Sequence, residues 1–462
     1  MNEGNGRLQL LSLFREVVLP LADSYLATRR SFRCVPEERS ISAGGSSFKI
    51  ENIARAFLVG AGKAGVPMAR AVVDTLREDA ALWSKFIGGS VNVYRDQARE
   101  TVPRVAFFAA DHPNPNEGSL EGAKAALRLL EQAGSDDLVI AVISGGGSAL
   151  LELPRDGITL DEFRSANRAL VVGGPTIQEI NTVRKHISQV KGGRLRMAAP
   201  DSTFITLVLS DVIGDDLSSI ASGPCVPDTT SCDDAIAVLE RYDLWRGMPE
   251  SVRRCLTNGD PDEDRRTRLW KDVLGDRTTN VVVASNAVIL KALEAEFSSL
   301  LLGGAPPEVY VEHEPVLGTV EEAIERNLRT ALARTDGARR PAMVVFGGEP
   351  VVKVPESATG TGGRMLHYAL MAVSRIAGLE VSILASGTDG IDGTSPAAGA
   401  VVSGTTLEEA KAACLDPDNY LSNYDSYGFF RDLEARTGRQ YLNAPGPTGT
   451  NVNDIMLWLF GT

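Results

Sequence analysis

Three carboxylates follow an apolar run in the segment "TFITLVLSDVIGDD", residues 203–216: Asp211, Asp215 and Asp216. No basic residue separates them. Clustered carboxylates repel one another, and Mg²⁺ or a basic side chain usually relieves that repulsion. We therefore predict that Asp211 and Asp216 bind metal. The alternative for Asp215 or Asp216 is to cap the segment "DLSSIA" that follows.

A second acidic group lies in "LASGTDGIDGTSPAAGA", where Asp389 and Asp392 stand between glycines. Turn formation explains part of this pattern, since Asp-Gly is a common turn pair. The segment is also rich enough in oxygen to hold a metal ion or sugar-like hydroxyls, so Asp389 is a third predicted metal ligand. A small-residue helix is expected to follow, and Glu349 of "VVFGGEP" offers a further carboxylate.

Glycine-rich loops provide candidate phosphate sites. "FLVGAGKAG" reads as a strand, a loop and a helix, with G-x-G-x-x-G spacing and Lys63 inside the loop. This pattern fits a dinucleotide pyrophosphate, the terminal phosphates of another nucleotide, or a purely structural turn. "ISGGGSALL" and "ATGTGGRML" are two further loops of this kind. The predicted phosphate-binding residues are Gly60, Gly62, Ser144, Gly145, Gly146, Gly147, Ser148, Gly362 and Gly363.

Arg364 begins the helix predicted after the third loop. A cation at a helix start opposes the helix dipole, so its position indicates a nearby anion or carboxylate, with a solvated arginine as the alternative. No G-x-x-x-x-G-K-[ST] motif occurs, so any phosphoryl transfer must use a scaffold other than the P-loop.

The segment "INTVRKHISQVKGGRLR" concentrates positive charge in an acidic protein. On one continuous helix, Arg184 and Lys191 would share a face, which predicts an anion-binding surface; solvated surface cations are the alternative. The basic residues are Arg184, Lys185, His186, Lys191, Arg194 and Arg196. The remaining histidines, His112, His313 and His367, are isolated in the sequence and expected to be structural.

Composition favours small-molecule chemistry. The 462 residues include 47 Lys and Arg against 60 Asp and Glu, a net charge of −13, which opposes binding to nucleic acid or anionic membranes. The five cysteines form no C-x-x-C pair, and we expect no export signal, no membrane anchor and a cytoplasmic location.

Short apolar runs alternate with helical patterns and position these residues. Runs such as "ARAFLV", "DDLVIAVIS", "FITLVLSD" and "NVVVASN" each end in or before polar or glycine residues, which is typical of parallel βα units with ligands at the strand ends. Similar runs occur at "PEVYVEHE", "AMVVFGGEP" and "VSILASGTD". A charged, Pro- and Gly-rich stretch at 247–279 predicts two α/β domains, residues 1–258 and 259–462.

Together, "GAGKA", "ISGGGSALL", "INTVRKHISQVKGGRL", "SDVIGDDLSSIASGPCVPD", "GGEPVV", "GTDGIDGTSPAAGA" and "PTGTNVNDIM" resemble the class II glycerate kinases, the glycerate 2-kinase family with a MOFRL domain. The resemblance covers about residues 57–457. It implies a Rossmann-like N-terminal domain with a parallel sheet, a C-terminal α/β domain with a mixed sheet, and an active site in the cleft between them.

The resemblance also implies an ATP- and Mg²⁺-dependent kinase that converts D-glycerate, or a related hydroxy acid, to the 2-phosphate. Lys63 matches the family's catalytic lysine and Arg364 its glycine-loop arginine; Asp216 and Asp389 are alternative proton acceptors. Members are also labelled hydroxypyruvate reductases, so an NAD(P)H-dependent reductase is the second hypothesis. The predicted substrate-binding residues are Arg184, Lys191, Asn286 and Glu349. The predicted partners are a hydroxy acid and a nucleotide, with no nucleic acid and no membrane. A homodimer is the oligomeric state considered.

One departure from the family pattern concerns the residues after Arg364. Met365, Leu366 and His367 replace the usual Asn-Gln-Glu. If those positions line the substrate pocket, the chain prefers another hydroxy acid or is a catalytically weak biosynthetic relative, a third hypothesis.

Overall fold

The computed structural model describes residues 4–260, 267–302 and 305–461. Contacts divide the chain into two compact units: residues 24–283, and residues 1–23 together with 284–462. We call them the parallel unit and the mixed unit after the sheets described below. This division differs from the predicted boundary at 258/259 in the placement of residues 1–23 and 259–283.

The described residues of the parallel unit contain nine strands: β1 Phe32–Val35, β2 Ser40–Ala43, β3 Ser46–Lys49, β4 Ala56–Ala61, β5 Phe86–Tyr94, β6 Val105–Ala110, β7 Leu138–Ile143, β8 Thr203–Leu209 and β9 Thr278–Ala284. Strands β1 to β3 form a small antiparallel sheet. The other six have the order β6-β5-β4-β7-β8-β9, and the pairs from β6 to β8 are parallel. Counted from β4, this is the Rossmann order 3-2-1-4-5-6, which reverses between β4 and β7.

Helices connect these strands. Asn116, Thr159, Thr176 and Ser231 each begin a helix with a capping box, in which the cap side chain and the third helical residue satisfy one another's backbone N–H groups. The helices of the unit are Ser24–Ser31, Gly65–Arg77, Ala80–Lys85, Glu117–Leu130, Gly147–Leu150, Leu160–Val172, Ile177–His186, Arg194–Met197, Cys232–Arg241 and Glu250–Thr257. Short 3₁₀ or π turns are Pro36–Glu38, Ile50–Asn52, Gln97–Arg99, Ile220–Ser222, Trp245–Gly247 and Trp270–Leu274.

Where the structure describes the mixed unit, it has one sheet, with strands β10 Glu308–Val316, β11 Ala342–Gly348, β12 Val381–Gly387, β13 Gly399–Ser403, β14 Leu442–Asn443 and β15 Asp454–Phe460. Their order is β10-β11-β15-β12-β13-β14, and only β10 and β11 are parallel. The helices of the unit are Gly4–Leu13, Leu19–Ala22, Asn286–Ser298, Val320–Thr335, Arg364–Arg375, Thr406–Ala412, Pro417–Ser422 and Ser426–Thr437, with a π turn at Phe14–Val18.

Each unit has its own apolar core. In the parallel unit, β4 and β7 are buried along their whole length, as expected for central strands covered on both faces. In the mixed unit, the helix Arg364–Arg375 packs its apolar face, which includes Met365 and Leu366, into the core beside β12 and β13.

The predicted two-domain α/β class is confirmed, with a parallel N-terminal sheet and a mixed C-terminal sheet. Two local predictions are wrong. A strand, β13, stands where a small-residue helix was expected after Asp392. The helix that carries Arg184 ends at His186, so Lys191 lies outside it and shares no helical face with Arg184.

Candidate functional site

Two glycine loops meet at the reversal point of the parallel sheet, one after β4 and one after β7. Ser144 Oγ accepts a hydrogen bond from the Ala64 N–H at 3.0 Å, and the Lys63 N–H donates to the Gly145 carbonyl at 2.9 Å. A side chain on Gly62 would collide with Ser144 Oγ, because its Cβ would lie 2.0 Å away. Glycine is therefore required for the two loops to pack this closely.

The loop after β7 leaves backbone N–H groups for a ligand. The Gly147 N–H donates to the Ser144 carbonyl at 3.2 Å and closes the turn, so the turn itself uses neither the Gly145 nor the Gly146 N–H. Gly146 has φ +80°, the left-handed conformation in which successive N–H groups point to one side. This arrangement suits phosphate oxygens.

Lys63 and His112 lie over Gly146. A methyl group built on Gly146 would be 3.2 Å from Lys63 Cε and 3.4 Å from His112 Cδ2. The Lys63 side chain is exposed, and no hydrogen bond or ion pair engages its ammonium within the part of the chain that the structure describes. A cation thus stands beside the loop with its charge available to an anion.

Asp211 and Ser148 border the same loop. A Cβ on Gly145 would lie 2.0 Å from Asp211 Oδ2, so the carboxylate occupies the space that a side chain would fill. Ser148 Oγ and Ser222 Oγ are 2.8 Å apart, and Ser222 Oγ donates to Asn181 Oδ1 at 2.9 Å. The chain of polar groups links this loop to the segment after β8.

Asp216 has the capping role given above as the alternative. Its carboxylate accepts hydrogen bonds from the Ser218 N–H and Oγ at 3.0 Å each and from Ser219 Oγ at 2.6 Å. Burial acts to raise the pKa of Asp216, but these hydrogen bonds outweigh it and lower the pKa. Asp211 and Asp216 therefore have different surroundings: Asp211 lies against the loop after β7, and Asp216 stabilises the turn that contains Ser218 and Ser219.

All six bases between 184 and 196 have partners inside the protein. Lys191 Nζ lies 2.6 Å from Glu152, Lys185 Nζ lies 3.6 Å from Asp228, and Arg194 Nη2 donates to Asp260 at 2.7 Å. His186 contacts Thr230 and Asp228, and Arg196 donates to backbone carbonyls. The segment therefore forms no continuous cationic surface, contrary to expectation, and the pairing of Lys191 with Glu152 does not favour its predicted substrate role.

Arg184 is the remaining base of this segment. Its Nε donates to Asn167 Oδ1 at 2.7 Å, a neutral partner. Burial lowers the pKa of His112, and the charges of Lys63 and Arg184 lower it further, which places both cations close to that imidazole. Arg184 thus joins Lys63, His112 and the glycine loop in one group.

A second group surrounds Arg364 in the mixed unit. Arg364 Nε and Nη2 donate to the two oxygens of Asp454 at 2.6 and 3.3 Å, and Nη1 lies 3.0 Å from Glu349. The carboxylate expected near this arginine is therefore present. A guanidinium has five N–H donors. Three are engaged here, which leaves one on each terminal nitrogen.

The strand register sets the position of this group. Asp454 begins β15 and pairs with Gly348 on β11 and with Gly387 on β12. Glu349 and Asp389 follow those two strands, so the carboxylates meet at one end of the sheet. Asn286, predicted to bind substrate, instead donates to the carbonyls of Val452 and Asp454 at 3.0 Å each and fixes the start of β15.

A cavity of about 580 Å³ opens beside Arg364. Its lining includes Asp389, Asp392, His367 and Tyr424, and the last two rings stack with centroids 5.5 Å apart. Asp392 Oδ2 accepts the Leu366 N–H at 2.8 Å and so caps the helix that Arg364 begins. Of the three residues that depart from the family pattern, only His367 lines the cavity, while Met365 and Leu366 are buried in the core.

Burial raises the pKa values of two carboxyl groups in this cluster. The pKa of Asp392 rises to about 6, although its backbone hydrogen bonds and Arg364 act in the opposite direction. The pKa of Asp454 rises to about 7; Arg364 lowers it, while Asp392 and Glu349 raise it. The cavity lining combines three carboxyl groups, Asp389, Asp392 and Asp454, with one arginine, Arg364.

The predicted metal ligands lie in different units. Asp211 and Asp216 belong to the parallel unit and Asp389 to the mixed unit. In residues 4–260, 267–302 and 305–461, no group of three or more His, Cys, Asp or Glu side chains is arranged to hold a metal ion. No helix in these ranges is long and apolar enough to cross a membrane.

The predicted phosphate residues fall into two sets. Gly60, at the end of β4, packs against Val142, while Gly62 and residues 144–148 form the loop beside Lys63. Gly362 and Gly363 pack against Ser426 and Asp392 in the mixed unit. Sequence reasoning missed His112 and gave Asp454 no role. The position of His112 two residues after β6 was the available signal, since ligands bind at the carboxyl ends of parallel strands.

Comparison with known proteins shows which families and solved structures the chain resembles. The family described as a domain of unknown function, DUF4147, matches residues 16–257, and the MOFRL family matches residues 342–454. A crystal structure of a Pyrococcus horikoshii OT3 protein has a TM-score of 0.82 at 33% identity and covers 99% of both chains. The crystal structure of Thermotoga maritima glycerate kinase has a TM-score of 0.80 at 31% identity and covers 98% of this chain and 100% of that one.

The class defined by this fold and site is a two-unit α/β protein with a glycine-rich loop beside Lys63 in one unit and a MOFRL region in the other. Its relatives include the Pyrococcus horikoshii glycerate 2-kinase, 36% identical with 96% of each chain covered, and the Thermotoga maritima D-glycerate 2-kinase, 36% identical with 88% and 91% covered. The chain belongs to the glycerate 2-kinase family. Two Agrobacterium vitis relatives, 38% and 36% identical, are provisionally named hydroxypyruvate reductases.

Proposed function

We propose that the protein is an ATP-dependent kinase that phosphorylates the 2-hydroxyl of D-glycerate or of a closely related hydroxy acid. The observation that carries this proposal is the position of Lys63 over Gly146, beside a loop whose backbone N–H groups suit phosphate oxygens. The names of the related kinases support the reaction class.

The residues of the parallel unit fit a nucleotide phosphate chain. When bound, ATP would supply the phosphoryl group, and Mg²⁺ would neutralise part of its charge. Magnesium in such sites usually has one or two carboxylate ligands, with phosphate oxygens and waters completing the set. Asp211, beside the loop, fits that role. Asp216 fits it less well because serine hydrogen bonds already occupy its carboxylate.

Lys63 and Arg184 would hold phosphate oxygens and stabilise the charge of the phosphoryl group in transfer. We assign Arg364 to the same reaction: its two remaining donors would bind the substrate carboxylate or the moving phosphoryl group. Asp454 and Glu349 would orient that guanidinium. The predicted placement of the active site between the two units, the homodimer and the cytoplasmic location stay predictions.

The test is an assay of the purified protein with ATP, Mg²⁺ and D-glycerate, with ADP formation followed by a coupled reaction and the product identified by NMR. We expect ADP and 2-phosphoglycerate, with no requirement for NADH or NADPH. A panel of other hydroxy acids would measure the effect of His367 in the cavity. Absence of ADP formation with every hydroxy acid would contradict the proposal.

The reductase alternative rests on the G-x-G-x-x-G spacing and on the names of the two Agrobacterium relatives. In a dinucleotide fold of this type, an acidic residue at the end of the second strand binds the ribose. Here that strand, β5, ends in Tyr94, whose hydroxyl donates to the His112 carbonyl. Oxidation of NADH or NADPH by hydroxypyruvate, without ATP, would favour this alternative.

A further inference from the structure

His112 lies at the phosphate loop although it comes from a different part of the sheet. It follows β6, whereas Lys63 follows β4 and the loop itself follows β7. His112 Cδ2 and Lys63 Cε would lie 3.4 and 3.2 Å from one methyl group placed on Gly146. The imidazole and the lysine side chain therefore cover the same glycine.

The backbone of His112 is held while its ring is left for a ligand. Its carbonyl accepts a hydrogen bond from the Tyr94 hydroxyl at 3.2 Å. The ring is half-buried, and no group within the described ranges makes a hydrogen bond to either ring nitrogen. A half-buried imidazole with both nitrogens available has the reach and the capacity to bind a substrate group.

The surroundings of the His112 ring favour its neutral form. Burial lowers the pKa of His112, and the charges that face the ring, Lys63 from the loop after β4 and Arg184 from the helix Ile177–His186, lower it further. A neutral imidazole has one nitrogen without a proton, and that nitrogen can accept one. The phosphate charge expected between Lys63 and Arg184 would offset the repulsion that those cations exert on an imidazolium.

The carboxylate predicted as proton acceptor in this unit is less suited to the task. Three hydrogen bonds from Ser218 and Ser219 engage Asp216. These bonds stabilise its ionised form and lower its pKa, although burial opposes them. A carboxylate in that state is a weak base.

We propose that His112 is a further catalytic residue of this site and accepts the proton of the substrate hydroxyl; this inference rests on the proposed kinase function. The hydroxyl O–H bond breaks and its proton moves to the free ring nitrogen. The hydroxyl oxygen forms a bond to the γ-phosphorus, and the bond from that phosphorus to the bridging oxygen breaks. The bonding electrons leave with ADP, and the imidazolium then releases its proton to solvent.

The test compares His112→Gln and His112→Ala with the wild type in the full-length protein. Glutamine retains a hydrogen-bonding group but cannot take a proton at neutral pH. We expect both variants to lower kcat by about 10²-fold or more, with the KM for ATP changed by less than about 3-fold. We also expect wild-type kcat to fall below a pKa under about 6.5, and this acid limb to disappear in both variants.

A second readout does not depend on turnover. NMR titration of the ligand-free protein with isotope-labelled histidine should show one imidazole, absent from the His112→Gln spectrum, that titrates below about 6.5. His313→Gln is the matched control, because His313 lies in the mixed unit with its side chain 56% exposed, and it should leave kcat and the pH profile unchanged. Thermal unfolding would confirm that each variant is folded.

Several outcomes would overturn the inference. A His112→Gln enzyme with kcat within a few-fold of the wild type, or with the acid limb intact, would exclude proton transfer to this ring. Recovery of activity by glutamine but not by alanine would assign a hydrogen bond only. If the wild type phosphorylates no hydroxy acid, both the proposed function and this inference are wrong, whereas an active wild type with a fully active variant overturns the inference alone.

Discussion

At the scale of single residues, Lys63 in the parallel unit and Arg364 in the mixed unit each have donors left for a ligand. We predict that Lys63→Ala and Arg364→Ala each lower kcat/KM by about 10²-fold or more, roughly 3 kcal/mol of transition-state stabilisation. Lys124→Ala is the control, because Lys124 is exposed on the helix Glu117–Leu130. Full activity in a folded Lys63 or Arg364 variant would remove that residue from the mechanism.

The buried carboxyl of Asp454 makes a prediction about stability and pH. Its pKa is about 7 in the folded protein, against an ordinary value of 3.8. The folded state therefore holds this proton more tightly than the unfolded state, and the group costs stability increasingly as the pH rises from about 4 to about 7. Asp454→Asn removes this titration.

We expect the variant Asp454→Asn to gain stability relative to the wild type as the pH rises. The difference in the free energy of unfolding, variant minus wild type, should increase by about 2 to 4 kcal/mol between pH 4 and pH 7. Urea denaturation at several pH values would measure it. The exposed Asn419→Ala is the control: it removes no titratable group and should show a difference that is independent of pH. The same flat difference for Asp454→Asn would contradict the prediction.

Residue types and spacing selected Lys63, the loop at 144–148 and a carboxylate near Arg364 as candidates. The structure brings Lys63 close to that loop and places Asp454 and Glu349 against Arg364, while the roles of these residues stay predictions. Residue types and spacing could not separate Asp211 from Asp216, since both follow β8, and only the three-dimensional turn shows Ser218 and Ser219 occupying Asp216. His112 was missed because its position after β6 was not used as a signal, and its proximity to Gly146 depends on packing between separate strands.

At the scale of elements, the loop after β7 depends on one left-handed glycine. Gly146→Ala adds a methyl group 3.2 Å from Lys63 Cε and imposes a side chain at φ +80°. We predict at least a ten-fold loss of kcat/KM from the displacement of Lys63, and backbone strain of about 1 kcal/mol. Steady-state kinetics and thermal unfolding would separate the two effects.

Gly157→Ala is a matched control for that variant. Gly157 has φ +86°, but nothing lies within 4 Å of its added methyl group. It should cost similar stability and leave kcat/KM unchanged. Equal losses of activity in both variants would mean that strain, and not contact with Lys63, explains the effect.

Strands could be predicted from the sequence where one or both of their faces are buried, because burial leaves a run of apolar residues. All seven quoted apolar runs became strands, from β4 to β12, because each combines β-branched residues with a polar stop. The helix expected after Asp392 failed because "GAVVS" pairs with β12, and sheet pairing overrides the helical preference of small residues.

At the scale of the whole molecule, the helices within residues 1–23 belong to the mixed unit, which also contains the last strand, β15. Arg7 forms a buried ion pair with Glu409 at 2.7 Å and lies 4.6 Å from the Tyr441 ring centre, and Thr450 Oγ1 donates to the Ala22 carbonyl at 2.7 Å. Sequence patterns placed residues 1–23 with the N-terminal domain, because contacts between distant segments leave no local signal.

We predict that Arg7→Ala lowers the free energy of unfolding by about 3 kcal/mol, since it removes one partner of a buried ion pair. Urea denaturation would measure this loss. Arg431→Ala is the control: Arg431 is 59% exposed and pairs with its neighbour Asp432, so its loss should cost less than about 1 kcal/mol. If Arg7→Ala lowers the free energy of unfolding by no more than Arg431→Ala does, the ion pair of Arg7 contributes little to the stability of the mixed unit.

The helix Gly4–Leu13 contacts β12, β13 and β15, and β15 ends at Phe460. On the ribosome, the binding surface of this helix is therefore incomplete until β15 has been synthesised. Residues 24–283 can complete their own core during that delay, because proteins generally acquire structure unit by unit as they are translated. The buried leucines of this helix, Leu10, Leu11 and Leu13, therefore lack their packing partners until β15 has been made, which gives chaperones a defined segment to protect.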